Sequence, residues 1–194
     1  MLVINNSFNE LYDNKSKLVV DELTRALSRV NPKEVEQLMD MVRSAEKVYF
    51  TGVGRVLLSL EAIAKRWAHI GVETHVVGEI TEPAITEKDI LIVGSGSGNS
   101  LLPVAIARKA ASLGAKVIHI GSNPCGDISQ VASLMVRIPV RTKLSLEDEL
   151  DSEQPMTSLF EQTLLVLGDV IAMLFIEQES ININELWKFH ANLE

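Results

Sequence analysis

The sequence predicts an α/β fold in which helices cover a parallel β-sheet. Three observations carry this. From residue 47 onward, short apolar strand-like segments alternate with amphipathic helical ones. The composition is rich in Val, Ile, Leu and Ala with only 5% aromatic residues, the balance that suits helices packed on a Val/Ile-rich sheet. Glycine-rich turns lie directly between strand and helix, where an open α/β sheet gathers its ligands.

The elements follow in order. Ser7 with Glu10 three residues later forms a capping box at the head of a first helix, followed by apolar Leu11, Leu18, Val19, Ala26, Leu27 and Val30. Asn31-Pro32 reads as the N-cap and first position of a second helix, with Val35, Leu38, Met39 and Val42 on one face. Helices that precede the first strand cannot cover the sheet by a crossover, so these two are expected on another subunit or on an outer face. Lys47–Thr51 is a strand, Arg55–Gly71 a helix, Thr74–Gly78 a second strand and Asp89–Val93 a third. Ser100–Gly114 is a helix, Lys116–Ile120 a fourth strand, Asp127–Ala132 a short helical turn and Leu134–Ile138 a fifth strand. Parallel strands linked this way need right-handed crossovers. Residues 141–155 are charged and poor in apolar side chains, which predicts a loop or flap. A long helix over Met156–Gln178 is apolar nearly all round and calls for burial on more than one side, hence a subunit interface.

At 194 residues the chain suffices for one substantial domain and is short for two. One domain is expected over 1–194, with N-terminal helices over about 7–45, an α/β core over about 47–178 and a tail over 179–194. The net charge of −8 argues against a nucleic-acid partner, which needs clustered Lys and Arg, and requires that any anionic ligand be held by local donors. No apolar run approaches about 20 residues and MLVINNSFNE lacks a signal-peptide pattern, so no membrane span and a cytoplasmic location are expected. The single cysteine, Cys125, fits a reducing compartment and reads as a small buried residue or an inert thiol. No Cys/His/Asp cluster has metal-ligand spacing.

Two loops carry the chemistry. Asp89–Val93 runs straight into Gly94-Ser95-Gly96-Ser97-Gly98-Asn99-Ser100, and a helix begins at once. Glycines let the backbone bring its N–H groups close to a ligand, serines add hydroxyl donors, and the helix N-terminus favours an anion. A second turn, Thr51-Gly52-Val53-Gly54-Arg55, follows the first strand. A dinucleotide reading of that turn would need a third glycine at Leu57, and a nucleoside-triphosphate reading of the other would need a lysine after its last glycine. Both motifs lack those residues. Glu79, at the end of the second strand, is placed where a ribose-binding acid could stand.

These loops resemble the sugar isomerase (SIS) domain. His69-Ile70-Gly71, Val77-Gly78-Glu79, the block Gln154–Gln162 and the ending His190-Ala191-Asn192-Leu193-Glu194 are similar to the 6-phospho-3-hexuloisomerase family, over nearly the whole chain. The resemblance implies a three-layer α-β-α sandwich, flavodoxin-like, with a five-stranded parallel sheet, two N-terminal helices and a C-terminal helical segment. It implies conversion of a 3-keto hexulose 6-phosphate into fructose 6-phosphate through an enediolate, without a metal or organic cofactor, in a homo-oligomer (tetramer or dimer) with sites near subunit interfaces. By position, Ser95, Gly96, Ser97, Gly98 and Ser100 would hold the substrate phosphate, and Gly52, Gly54 and Glu79 would contact substrate. Glu161 would be the base, and His190 the acid or ring-opening group, reaching a neighbouring subunit's site.

The chemistry asks for such a set. Moving a carbonyl by one carbon needs a base to take the proton α to it and an acid to deliver one to oxygen. Arg55 and backbone N–H groups could stabilise the enediolate. Glu161 alone can also be read as an acid favouring its helix N-terminus. His69 ends a helix, while His75 and His119 lie in strands and read as packing residues. The family usually has a hydroxyl residue at Val56 and a glycine at Leu57, and Glu-Thr is frequent at Asn99-Ser100; these changes keep the cradle and bear on which sugar is accepted. Two rival readings stay open, a non-catalytic phosphosugar-binding or sensing protein, and another enzyme class on the same scaffold, such as a sugar-phosphate deglycase or a nucleotide-dependent enzyme.

Overall fold

The computed structural model describes residues 7–193; Glu194, the last residue of the His190–Glu194 ending, and the first six residues, within the N-terminal segment read for a signal peptide, lie outside them. Helix α1 (Phe8–Leu27) opens on the Ser7/Glu10 capping box, in which Ser7 N–H donates to Glu10 Oε2 at 2.8 Å. Helix α2 (Pro32–Ser44) starts on Asn31, whose side chain accepts from Lys33 N–H at 3.1 Å. The remaining order is β1 (Val48–Thr51), α3 (Gly54–His69), β2 (Thr74–Val76), β3 (Ile90–Gly94), α4 (Leu101–Ser112), β4 (Lys116–Gly121), a 3₁₀ turn (Asp127–Gln130), β5 (Leu134–Arg137), α5 (Ser158–Gln178) and a terminal 3₁₀ segment (Ile183–Phe189).

The five strands form one parallel sheet in the order β2-β1-β3-β4-β5. Successive residues of a strand face opposite sides, and that alternation divides the core in two. Val48, Phe50, Ile90, Ile92, Ile118 and Ile120 face α2, α3 and α5. Tyr49, Leu91, Val93 and Val117 face α4 and Ile128 of the 3₁₀ turn. The expected three-layer sandwich with a five-stranded sheet is therefore the observed one.

Three expectations are sharpened. The N-terminal helices pack within their own chain: α2 lies on β5 and α5, burying Val35, Leu38, Met39 and Val42, and α1 lies against α5. A helix need not be a crossover to cover a sheet; β5 is an edge strand, and its uncovered apolar face accepts whatever amphipathic helix the chain supplies. The segment 141–155 is irregular but tied down. Arg141 N–H donates to Leu150 O at 2.9 Å and Leu150 N–H to Pro139 O at 2.8 Å, and both Val140 and Leu150 are buried.

The third concerns α5, which is long and apolar enough by length and composition to cross a membrane, although no run of that length was expected. Here it is the core helix. Leu159, Phe160, Leu164, Leu167, Ile171 and Phe175 are buried, and Gly168 lets α3 approach so closely that a Cβ there would stand 2.3 Å from Ile63 Cγ1. Trp67 Nε1–H donates to Gly168 O at 3.0 Å across the same contact. Met173, 68% exposed, and Val170 lie on the outer side of the helix.

Candidate active site

The connection after β1 leads to β2 at one edge, whereas β3, β4 and β5 build the sheet in the other direction. A crevice opens beyond the strand ends at such a reversal. The turn Gly52–Arg55 leaves β1 there and the loop Gly94–Ser100 leaves β3. The two loops touch, since a Cβ on Gly52 would lie 3.1 Å from Leu60 Cδ1 and 3.4 Å from Gly94 O.

The Gly94–Ser100 loop is wound by its own hydrogen bonds. Gly98, at φ +68°, donates its N–H to Ser95 Oγ at 3.1 Å and to Ser95 O at 3.2 Å. Asn99 N–H donates to Ser97 Oγ at 3.3 Å, and Ser95 and Ser100 hydroxyls lie 3.3 Å apart. A serine hydroxyl that accepts from a loop N–H must aim its own proton elsewhere, so Ser95 and Ser97 are set as donors. Ser100 is the N-cap of α4 yet makes no side-chain cap bond, so its hydroxyl leaves the first-turn N–H groups of Leu101 and Leu102 uncapped. Such a loop can cradle an anion, with Gly98 serving shape while its amide is spent on the turn.

Opposite the cradle stands Glu161, in the first turn of α5 and only 7% exposed. Arg55, in the first turn of α3, donates Nε–H to Glu161 Oε2, and Thr157 Oγ1 donates to Oε1 at 2.8 Å. Ser59 Oγ donates to the Glu161 carbonyl at 3.0 Å and so fixes the backbone beneath it. A buried carboxylate is tolerated because both oxygens have donors. Phe160 packs on the cradle from this side, 3.7 Å from where a Gly96 Cβ would stand, with Thr142 Cγ2 at 3.1 Å.

Several residues of the site escaped the sequence reading. Thr157 lies four residues before Glu161, a helical spacing that could have revealed it. Glu149 carries no such mark; its carboxylate accepts from Ser122 Oγ (2.7 Å), Thr142 Oγ1 (2.9 Å), Leu146 N–H (3.0 Å) and Thr142 N–H (3.1 Å), clamping the 141–155 segment to the end of β4. Glu22 of α1 does the same further along, accepting from Ser152 Oγ (2.6 Å), Glu153 N–H (2.8 Å) and Gln154 Nε2 (3.1 Å). Burial alone would raise the Glu22 pKa, but these bonds outweigh it and hold the carboxyl below its ordinary value. Asn123 Nδ2 donates to Ser97 O at 3.0 Å.

Not every expected residue gathers here. Glu79 is exposed in the turn after β2, where its carboxylate lies 3.5 Å from Val76 N. His190 stacks on His69 at 5.2 Å between ring centroids, at the C-terminal end of α3. Arg55 is in the first turn of that helix, so about 20 Å of helix separates the two ends at 1.5 Å per residue. Within one chain, then, Glu161 and Arg55 meet and His190 stands apart. Gly54, at φ +58°, opens α3 with nothing within 4 Å of a Cβ. Val56 points under the loops, 2.8 Å from where a Gly94 Cβ would be, and Leu57 packs on the core. Asn99 Oδ1 accepts from Asp127 N–H at 2.8 Å, anchoring the cradle to the 3₁₀ turn. Cys125 is exposed, against the expectation of a buried small residue, because the turn after Pro124 carries it outward. Among the described residues no three His, Cys, Asp or Glu side chains gather into a metal site.

Comparison with known proteins gives this geometry a context. The SIS domain family matches residues 41–173. A Bacillus subtilis protein named 3-hexulose-6-phosphate isomerase is 35% identical over 91% of this chain and 95% of its own length. One of the same name from Mycobacterium gastri is 34% identical over 93% of this chain and 90% of its own. A crystal structure of a hypothetical Methanococcus jannaschii protein, reported to infer 3-hexulose-6-phosphate isomerase function, superposes with a TM-score of 0.81 at 26% identity, covering 93% of this chain and 99% of that one.

Proposed function

The chain belongs to the SIS domain family, and on that premise we propose that it is a sugar-phosphate isomerase converting a 3-keto hexulose 6-phosphate into fructose 6-phosphate. The observation that carries the proposal is the buried Glu161 carboxylate, held by Arg55 and Thr157 across from a Gly/Ser anion cradle. Relatives at 34–35% identity bearing the isomerase name support the choice of substrate.

The phosphate is taken by the hydroxyls of Ser95, Ser97 and Ser100, the Gly96 N–H and the α4 N-terminus. Glu161 removes the proton on C2 of the 3-ketose, and the electron pair forms the C2–C3 enediolate with negative charge on O3. O3 takes up a proton and O2 gives one up, which moves the charge to O2; the proton held by Glu161 then returns to C3, and the carbonyl stands at C2. The four Nη–H donors of Arg55 stabilise the developing oxyanion while its Nε–H holds Glu161. This chemistry needs no metal or organic cofactor. Gly52 and Gly54 let the first loop approach the sugar, and Glu79 lies at the rim of the same sheet edge.

His190 is read as the acid or ring-opening group of a neighbouring copy's site, and its distance from Arg55 in the same chain supports that placement. The outward apolar residues Val170 and Met173 of α5 and Leu58 of α3 supply the surface for a dimer or tetramer. The chain works in the cytoplasm as one domain. A coupled assay with 3-hexulose 6-phosphate tests the reading: appearance of fructose 6-phosphate is expected, whereas tight binding without turnover would favour a phosphosugar sensor.

A further inference from the structure

His119 sits on β4 directly beneath the cradle and is fully buried. Its Nε2 lies 2.9 Å from Ser95 O. A carbonyl oxygen only accepts, so Nε2 carries the proton and the ring is the Nε2–H tautomer. Nδ1 is then a bare acceptor, and among the described residues it has no partner. Burial pushes the imidazole below its usual pKa, against the opposing pull of the Ser95 bond, which keeps the ring neutral and its single donor on Nε2. The space around it admits little else: a Gly98 Cβ would lie 3.2 Å from His119 Cε1, and a Gly121 Cβ would lie 2.3 Å from Nε2.

A leucine or methionine would fill this core position without leaving an acceptor unpaired, so the histidine answers to something other than packing. That something is the direction of one peptide. In a trans peptide the C=O and the following N–H point opposite ways. Drawing the Ser95 carbonyl down onto His119 therefore turns the Gly96 N–H away from the core, and it keeps a carbonyl dipole from facing an incoming anion. The same carbonyl accepts from Gly98 N–H at 3.2 Å, so the bond also closes the turn. We propose that His119 is the positioning residue of the phosphate cradle, holding the Ser95 carbonyl inward so that the Gly96 N–H is presented to the substrate phosphate. This rests on the reading of Gly94–Ser100 as a phosphate site.

The experiment compares wild type, His119→Leu and His119→Gln, since a glutamine Nε2 can reach the place of the imidazole donor. Inorganic phosphate and fructose 6-phosphate are titrated by calorimetry, and KM and kcat are measured for the isomerisation. His119→Leu is expected to weaken both ligands about tenfold and to raise KM with little change in kcat, while His119→Gln recovers affinity to within about threefold. Nitrogen-15 spectra of the wild-type protein should show the Nε2–H tautomer and a Gly96 amide among those moved most by phosphate, a readout that does not require the leucine variant to fold. Wild-type affinity in a folded His119→Leu, equal loss in both variants, or an unmoved Gly96 amide in a wild type that binds phosphate would overturn the role of His119 alone. Failure of the wild type to bind either ligand would overturn the phosphate reading and this inference together.

Discussion

Gly98→Ala tests whether the cradle is built as described. Gly98 has φ +68°, a region that costs a residue with a Cβ about 1–2 kcal/mol. The new methyl would also stand 3.1 Å from Gly126 Cα and 3.2 Å from His119 Cε1, one contact with rigid backbone and one with a ring that cannot retreat. Overpacking of that kind adds about 1 kcal/mol at the mild end of its range. The total, about 2–3 kcal/mol, corresponds to a fall in Tm of roughly 4–12 °C for a chain of this size. Gly54→Ala is the internal control, because Gly54 shares the positive φ (+58°) but has nothing within 4 Å of a Cβ. It should lose only the backbone part, about 1–2 kcal/mol. Urea denaturation gives the stabilities and calorimetry with inorganic phosphate gives the affinities. Gly98→Ala should be the less stable of the two and should bind phosphate more weakly, since its N–H closes the Ser95 turn. Equal stability of the two variants together with wild-type phosphate affinity in Gly98→Ala would refute the reasoning.

Two further outcomes concern the frame around the site. Gly168→Ala should destabilise by about 1–3 kcal/mol in urea, because its methyl would stand 2.3 Å from Ile63 Cγ1 and force α3 and α5 apart; an unchanged midpoint would contradict the close helix contact. Glu22 has a folded-state pKa below its ordinary 4.5, so its contribution is fully present above that value and is lost as pH falls through the lower folded value. The stability difference between wild type and Glu22→Gln should therefore be flat near neutrality and shrink from about pH 4.5 downward. A difference that grows on acidification would show the opposite sign of shift.

How much of this was legible in the sequence depended on how local each determinant is. The Ser7/Glu10 box, the Asn31-Pro32 start and the strand-to-glycine junctions are encoded within a few residues, and their elements lie where expected, within a few residues at their ends. β2 is shorter than its apolar run because the chain enters a turn at Val77 and Gly78, after Val77 N–H makes a last bond to Phe50 O at 2.9 Å. The place of α2 on β5 was not legible because an apolar stripe shows that a helix is covered, not by what; α1 lies outside α5 and keeps Leu11 and Val20 exposed. Glu149 and Glu22 look like members of ordinary acidic stretches until the fold brings donors to them from over 100 residues away, as with Ser152 on Glu22, or from the end of another strand, as with Ser122 on Glu149. His119 reads as a strand residue among apolar neighbours; only the loop folded above it shows what its Nε2 holds. Glu161 is named by resemblance and Arg55 by the donors an enediolate needs; 106 residues apart, they meet in space as an ion pair.

The central claim is that Glu161 moves a proton on the carbon skeleton of a sugar phosphate. Nuclear magnetic resonance of fructose 6-phosphate incubated in deuterium oxide reads that step without a coupling enzyme. Wild type should exchange the C3 hydrogen for deuterium, and Glu161→Gln should slow that exchange at least about a hundredfold, the lower bound for removing a general base, while still binding the sugar phosphate. No exchange by a wild type that binds the ligand, or undiminished exchange by Glu161→Gln, would contradict the account.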